Sequence, residues 1–501
     1  MKVKMNSENN KVAFFEKIKL FVRGVLILSA RKLGAAKPKG PAVRNAKNLL
    51  NKEIKIPRGL SVSLTFVIIS AMLSFRFGLR YETVLAVVIF MSGVAAFFIA
   101  QTKGKEEDIL KDNDAVVLVC LLFIIALFIL QILREYLNPA VFPVSAFVVM
   151  SAMLLSGRIG LLYTIILSLF AAFVMDMRFD IFFIMLCGSL AGISGIRKIR
   201  KRSDFTGVFL RVAVVNIIVI TMFFLLKIYD LHSYRINLLY GILNAVFAVI
   251  LILALMPFFE TFFSRTTSIK LIELTDFNNK LLKRLMLEAP GTYHHSLMTA
   301  AIAEQAADAI GADSLLARVS SYYHDIGKLN APQYFIENQG SGPNPHDPLT
   351  PTMSSLILSS HVKDGVVLAK KHNLDQSIID NIEQHHGTTT IHFFYHKALE
   401  LNKNTNMENF RYPGPRPRTK VAAILMIADS SEAACRALDD PSAMRIKETV
   451  KKIINNKFTD GQFSECPITL KDLQMIGNSV ISSLIGIHHA RIEYKEKDDD
   501  K

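Results

Sequence analysis

Histidine is nearly missing from the first half of this 501-residue chain. His232 is the only one before residue 294, and the other twelve of the thirteen follow. Core packing does not sort one residue type in this way, so the crowding points to ligation or catalysis. Cysteine is sparse as well. Cys120, Cys187, Cys435 and Cys466 lie far apart with no Cys-x-x-Cys spacing, which excludes a disulfide scaffold and a zinc ribbon. Beyond residue 291 there is neither strand-like alternation nor a phosphate loop of the Gly-x-Gly-x-x-Gly kind. That part of the chain reads as all-helical. A cleavable leader is not expected, because the apolar stretch Val25 to Ala30 is short and hemmed in by Arg23, Arg31 and Lys32. Residues 14–33 read instead as an amphipathic helix on the inner leaflet.

Charge is the other absence. Between residues 60 and 260, eight stretches are largely or wholly free of it: Leu60 to Phe75, Thr83 to Gln101, Ala115 to Leu133, Tyr136 to Gly157, Ile159 to Met175, Ile181 to Ile196, Val212 to Leu226 and Ile236 to Phe259. A helix needs about 20 apolar residues to cross ~30 Å of hydrocarbon, so the longer runs qualify alone and the shorter ones only when tilted or packed by protein. The expected region is polytopic, with about eight spans over residues 59–260. Charges at span edges, Arg158, Asp176, Arg178, Asp180 and Arg211, read as snorkelling groups. With no cluster of charges at mid-depth, a transport pathway is not expected. Asn216 and Asn244 interrupt apolar runs and suit hydrogen bonds between helices.

The segment Lys2 to Arg58 holds 15 Lys/Arg against three acidic residues, and Arg197, Lys198, Arg200, Lys201 and Arg202 crowd a later loop. Both signals place the termini and the histidine-rich part in the cytoplasm of a bacterial-type cell membrane. The net charge of +15 is accounted for by attraction to anionic lipid, so the lipid bilayer rather than a nucleic-acid polymer is the expected partner. The expected organisation is a basic segment at 1–58, membrane spans at 59–260, a linker helix at 261–290, a soluble domain at 291–490 and a charged tail at 491–501. Apolar residues at Leu271, Leu274, Phe277, Leu281, Leu282 and Leu285 give the linker a helical period, as a stalk or a homodimer contact.

Within the soluble part, His324-Asp325 ends an apolar helical run. His295, His361, the pair His385-His386, and Asp429 at the end of Val421 to Ala428 complete the set. Five imidazoles and two carboxylates suit a two-metal phosphohydrolase centre. Phosphodiester hydrolysis needs a hydroxide and cations against developing charge, and two metals about 3.5 to 4 Å apart supply both. Asp325 suits the bridging position. His295, His324, Asp325 and Asp429 are assigned to one metal, and Asp325, His361, His385 and His386 to the other. Ligation without thiolate suits iron, manganese, cobalt or zinc, with iron or manganese preferred. Lys328 is a candidate catalytic cation for a phosphate oxygen. His294, about 100° around the helix from His295, is not expected to ligate. Two proline-rich loops, 338–351 and 411–418, are candidates to cover the site, and His346, Arg416 and Arg418 within them are candidate substrate contacts.

The strings around these ligands carry a resemblance. Ala289-Pro-Gly-Thr-Tyr-His-His-Ser296, Tyr322-Tyr-His-Asp-Ile-Gly-Lys328, Phe335-Ile-Glu-Asn-Gln339, Asn344-Pro-His-Asp347 and Gln384-His-His-Gly-Thr388 resemble the seven-transmembrane HD family of phosphohydrolases, and closely its PgpH-type cyclic-di-AMP phosphodiesterases. The resemblance implies a metal-dependent enzyme that hydrolyses the cyclic dinucleotide cyclic-di-AMP to linear pApA. All seven ligand positions match. One departure is large: where the family carries an extracytoplasmic domain after the first span, Arg76 to Glu82 stands here, so control through such a domain is not expected. The alternatives are cyclic-di-GMP as substrate, although Gly387-Thr-Thr-Thr-Ile-His392 replaces the Gly-Tyr-Pro motif of that branch, or a membrane receptor using the HD module without turnover.

Overall fold

The computed structural model describes residues 58–489, except 78–79, 103–110, 137, 197–198, 200, 264 and 341. The N-terminal amphipathic helix, the basic segment, the charged tail and the loop residues Arg197, Lys198 and Arg200 therefore lie outside the described residues. Among those described there is no strand, and the one β-type pairing recorded is an isolated bridge between Thr390 and Arg411.

Each of the eight apolar runs falls on a helix: α1 (Arg58–Phe77), α2 (Tyr81–Thr102), α3 (Asn113–Tyr136), α4 (Val144–Leu154), α5 (Gly157–Val174), α6 (Phe179–Ile193), α7 (Phe205–Leu225) and α8 (Leu231–Phe262). Five contain a stretch long and apolar enough to cross a membrane, namely α2, α3, α5, α7 and α8; the apolar parts of α1, α4 and α6 are shorter. The expectation of eight spans thus resolves into five full-length candidates and three short apolar helices. In the first compact unit, residues 1–121, α1 packs on α2.

The second unit, residues 122–501, contains the bundle α4 to α8. Its helices approach closely where side chains are small. A Cβ on Gly188 of α6 would lie 2.5 Å from Asn216 Oδ1 of α7, so glycine is what lets these two helices meet. Asn216 Nδ2 donates to Gly241 O at 3.0 Å, and Asn244 Nδ2 donates to Ala140 O and Phe142 O at 3.2 and 2.5 Å. The two asparagines do link helices. Charges near the span edges pair with one another, Arg134 with Asp176 at 2.7 Å and Arg178 with Asp180 at 2.5 Å.

The last apolar run continues through Pro257 to Phe262 as one helix. The linker differs from the single helix expected. It consists of α9 (Ser268–Glu273) and α10 (Lys280–Glu288). The break has a local cause: Asp276 Oδ1 accepts from Asn278 N at 2.9 Å and Asn279 Oδ1 from Leu281 N at 3.0 Å, so side chains cap a new start instead of continuing the old helix.

The soluble helices follow: α11 (Pro290–Ala309), α12 (Ser314–Tyr323), α13 (Pro351–Lys371), α14 (Gln376–Gln384), α15 (His392–Leu401), α16 (Lys420–Arg436), α17 (Ala443–Thr459) and α18 (Leu470–His489). Residues Val421 to Ala428 of α16 are buried on every side, which makes it the central helix. On one side of α11 the core holds Ile302, Ala306, Ile424, Ile427 and Val480; on another it holds Leu285, Ala300, Tyr323, Ile378 and Ile382. The ligand candidates sit where these two cores meet the ends of α12 and α14.

Candidate metal centre

Each of the seven side chains is delivered by a helix or its end. His295 lies in the second turn of α11, whose first residue is Pro290, with φ suited in advance to a helix start. There His295 is 2% exposed, whereas His294 points to solvent. His324 and Asp325 leave the end of α12 into a short 3-10 turn over Ile326–Asn330. Gly327 makes this geometry possible. A Cβ there would lie 1.9 Å from the backbone oxygen of His361, so only glycine lets the turn seat against α13 beside that histidine. His385 and His386 follow the last residue of α14, and Asp429 continues the buried run of α16.

Asp325 stands between two groups. Its Oδ2 is 3.2 Å from His324 Nε2 and 3.7 Å from His295 Nε2; its Oδ1 is 3.3 Å from His361 Nε2 and 3.7 Å from His385 Nε2. Asp429 Oδ1 lies 3.0 Å from His295 Nε2 and 3.6 Å from His324 Nε2, and its Oδ2 lies 3.6 Å from His386 Nδ1. The result is two tetrads, His295, His324, Asp325, Asp429 and Asp325, His361, His385, His386, each with donor atoms within 4.8 Å of one another.

The donor chemistry fits cations. His324 Nδ1 donates to Ser321 O at 2.8 Å, His361 Nδ1 to Leu358 O at 2.5 Å and His385 Nδ1 to Ile382 O at 2.7 Å, while His295 Nδ1 meets the Glu432 carboxylate. These acceptors hold a proton on Nδ1 and turn Nε2 inward, where it is a free lone pair on the neutral rings of His361 and His385. Two of them, on His361 and His385, face each other at 3.2 Å, an arrangement that is repulsive unless a positive charge lies between them. His324 Nε2 and Asp325 Oδ1 are buried without a hydrogen-bond partner among the described residues. Buried polar atoms are rarely left so, except where something else is bound.

Electrostatics separates the two groups. Burial disfavours charge on both aspartates, but His324 and Lys328 around Asp325, and His295 and His324 around Asp429, hold each well below the usual carboxylate range. Burial also opposes a proton on His324, and there the two carboxylates win, pushing its pKa up to about 10. In the second group burial dominates. It lowers His361 and His386, and it takes His385 down to about 3 with the help of its imidazole neighbours. Those three rings are neutral, the form in which imidazole binds a metal.

Lys328 reaches the centre as expected from its spacing. Its Nζ is 2.8 Å from Asp325 Oδ2 and 2.6 Å from Glu337 Oε1, and although burial works against its charge, the two carboxylates raise its pKa. Two of the three ammonium protons are committed, and one is left for an oxygen acceptor. The other candidate contacts separate. Arg416 lies beside the His-His segment, with Nε 3.4 Å from Thr388 Oγ1 and one guanidinium nitrogen 3.0 Å from Ser464 Oγ. Arg418 turns outward to Glu465 at 3.3 Å. The expected role of His346 has no support in the geometry: its ring packs against Tyr334 and Phe394, and its Nε2 bonds the Tyr334 carbonyl at 2.9 Å.

Sequence reasoning passed over several residues that hold this centre. Glu432, one helical turn past Asp429, backs His295. Glu337 accepts from both Lys328 and Thr292 Oγ1, the latter at 3.0 Å. Gln462 is fully buried and clamps Thr388, accepting from its N–H at 2.9 Å and donating to its Oγ1 at 2.9 Å. Glu432 had a detectable signal in its spacing of three from Asp429 on a helix, whereas the other two meet their partners across loops.

Two family descriptions match the chain, a 7TM receptor with intracellular HD hydrolase over residues 79–267 and the HD domain over residues 292–434. The chain belongs to the seven-transmembrane HD hydrolase family. It is a multi-pass membrane protein. Within that family it is similar to the cyclic-di-AMP phosphodiesterase PgpH of Bacillus subtilis (37% identical over 430 residues, 83% of this chain and 60% of the relative). It is equally similar to that of Listeria monocytogenes (37% over 421 residues, 82% and 59%). The chain thus spans about 60% of the length of these relatives. A crystal structure of the L. monocytogenes PgpH HD domain in complex with cyclic-di-AMP is 50% identical, covering 42% of this chain and 98% of that one, with a TM-score of 0.41. HD-domain phosphohydrolases are metal-dependent, and this family member carries the His/Asp cluster for it.

Proposed function

We propose that the chain hydrolyses cyclic-di-AMP to linear pApA at a two-metal centre on the cytoplasmic side of the membrane. The observation that carries this reading is the pair of donor tetrads sharing Asp325, each oxygen of which faces one group of imidazoles. Two divalent cations, iron or manganese by donor type, would supply Lewis acidity and an activated water at neutral pH. The chain's own residues do the rest. Asp325 and Asp429 remain ionised and keep the rings oriented. Lys328, fixed by Glu337, has one proton free to donate to a non-bridging phosphate oxygen, and Arg416 lies within the same wall as Thr388 to meet a second phosphate or a base. The preference for the adenine dinucleotide follows the PgpH relatives, and the cytoplasmic orientation follows the excess of basic residues in the segment before α1.

The test is turnover by the purified full-length chain in detergent micelles, supplied with manganese or ferrous iron, offered each cyclic dinucleotide and followed by chromatography. The expected result is pApA from cyclic-di-AMP, with cyclic-di-GMP cleaved at least about tenfold less efficiently. A chain that holds two metal equivalents and cleaves neither dinucleotide would overturn the enzymatic reading, and preference for the guanine compound would overturn the substrate.

A further inference from the structure

His386 is held differently from the other four rings. Each of those has an acceptor for Nδ1–H provided by the fold, Glu432 for His295 and backbone carbonyls for His324, His361 and His385. Such backing fixes both tautomer and ring plane. The His386 ring makes no hydrogen bond among the described residues. It turns Nδ1 inward, 3.6 Å from Asp429 Oδ2, and its side chain is 19% exposed where the other four are 2% or less.

What meets this ring is Tyr412. The two ring centroids are 4.1 Å apart with planes 26° from parallel, and the same tyrosine stands edge-on to His361 at 6.1 Å. Tyr412 is itself firmly carried. Its N–H donates to Thr389 O at 3.0 Å and Ile391 N–H donates to Phe410 O at 2.8 Å, so residues 410–412 run antiparallel to 389–391, the segment that leaves His386. Arg411 ties the two further, donating to Thr388 O at 2.7 Å and to Asp460 at 3.0 Å. The tyrosine and the histidine are therefore mounted on one paired strip of backbone.

We infer that Tyr412 is a positioning residue: by stacking on His386 it substitutes for the missing hydrogen-bonded backing and sets how tightly the Asp325, His361, His385, His386 group holds its metal. The inference rests on reading the two tetrads as two metal sites. An offset stack resists tilting less sharply than a hydrogen bond does, so this group is the weaker of the two and the one whose ligand can yield when a substrate enters.

The test measures manganese binding to the full-length chain in micelles by calorimetry and electron paramagnetic resonance. The unmodified chain is expected to bind two ions and to give the spectrum of an exchange-coupled pair. Tyr412→Leu should keep the first ion at unchanged affinity, bind the second about ten- to a hundredfold more weakly, and show an isolated ion at concentrations that fill both sites in the unmodified chain. Tyr412→Phe, which retains the ring, should restore both. The inference is overturned if Tyr412→Leu binds two ions at the original affinities, if both ions weaken together as a general loss of structure would cause, or if Tyr412→Phe fails as Tyr412→Leu does. If the unmodified chain itself takes up fewer than two ions, the two-metal reading falls along with it.

Discussion

Asn244 in the membrane bundle and Asp325 in the soluble domain are both buried polar side chains, and the fold treats them in opposite ways. The amide of Asn244 donates to two backbone carbonyls in the turn before α4, so its donors are used up inside the bundle. Asp325 has a buried oxygen with no hydrogen-bond partner among the described residues, facing imidazole nitrogens that are themselves lone-pair acceptors. The first arrangement lowers the energy of the folded chain by itself. The second is met only in part: Lys328 and His324 hold the carboxylate in its ionised form, while Oδ1 stays unsatisfied unless a cation is bound. One polar site is thus completed by the fold alone and the other is left open to a cation, which predicts that the effects of disabling them should differ in how far stability depends on metal.

The largest effect expected is from Asp325→Asn. Removing the carboxylate that faces both groups should lower cyclic-di-AMP turnover on the order of a thousandfold or more. The unfolding midpoint measured in chelator should fall, because Lys328 and His324 lose a buried anionic partner, and the rise that manganese gives the unmodified chain should be largely absent. A variant whose midpoint still rose with manganese as far as its parent's would make Asp325 dispensable for the cation and break the contrast with Asn244. A smaller effect is expected from Glu432→Gln, which keeps an oxygen near His295 but removes the charge that backs its Nδ1. Affinity for the first metal should fall about tenfold while the second is unchanged. Equal weakening of both metals would show that the two groups are not separable.

The seven candidate ligands could be gathered from the sequence because metal chemistry restricts residue type, and they meet because they lie on helices or at their ends, where spacing converts into position. The residues behind them were not. Glu337 reaches Lys328 from a turn, Gln462 reaches Thr388 from 74 residues along the chain, and Tyr412 stacks on His386 across a strip of paired backbone. None of these contacts has a periodic signature. The fold shows the same division. Each apolar run marked one of the membrane-region helices among the described residues, and the short ones, such as Phe179–Ile193, are those the run lengths allowed only when tilted or packed by protein. The linker was read as continuous because its apolar period runs through Asp276 and Asn279, whose side chains divert the backbone. His346 misled for another reason. A histidine in a glycine- and proline-rich loop resembles a ligand contact, but here it fills space between Tyr334 and Phe394.

The smallest effect, and the other arm of the contrast, belongs to Asn244→Leu. Leucine has the same branched outline as asparagine and is compatible with the surrounding apolar helices, so packing is largely kept while Ala140 O loses the amide donor and Phe142 O keeps only Val144 N–H. Hydrogen bonds between membrane helices contribute modestly, since the dissociated helices find other partners in lipid, and the expected loss is about 1 kcal/mol. It should appear as a lower unfolding midpoint of the full-length chain in micelles, with or without metal, and the affinities of both manganese sites should remain as they were. If the substitution instead weakened metal binding, Asn244 would be coupled to the centre through the helices between them, and the division into a polar site completed by the fold and a polar site left open to a cation would have to be given up.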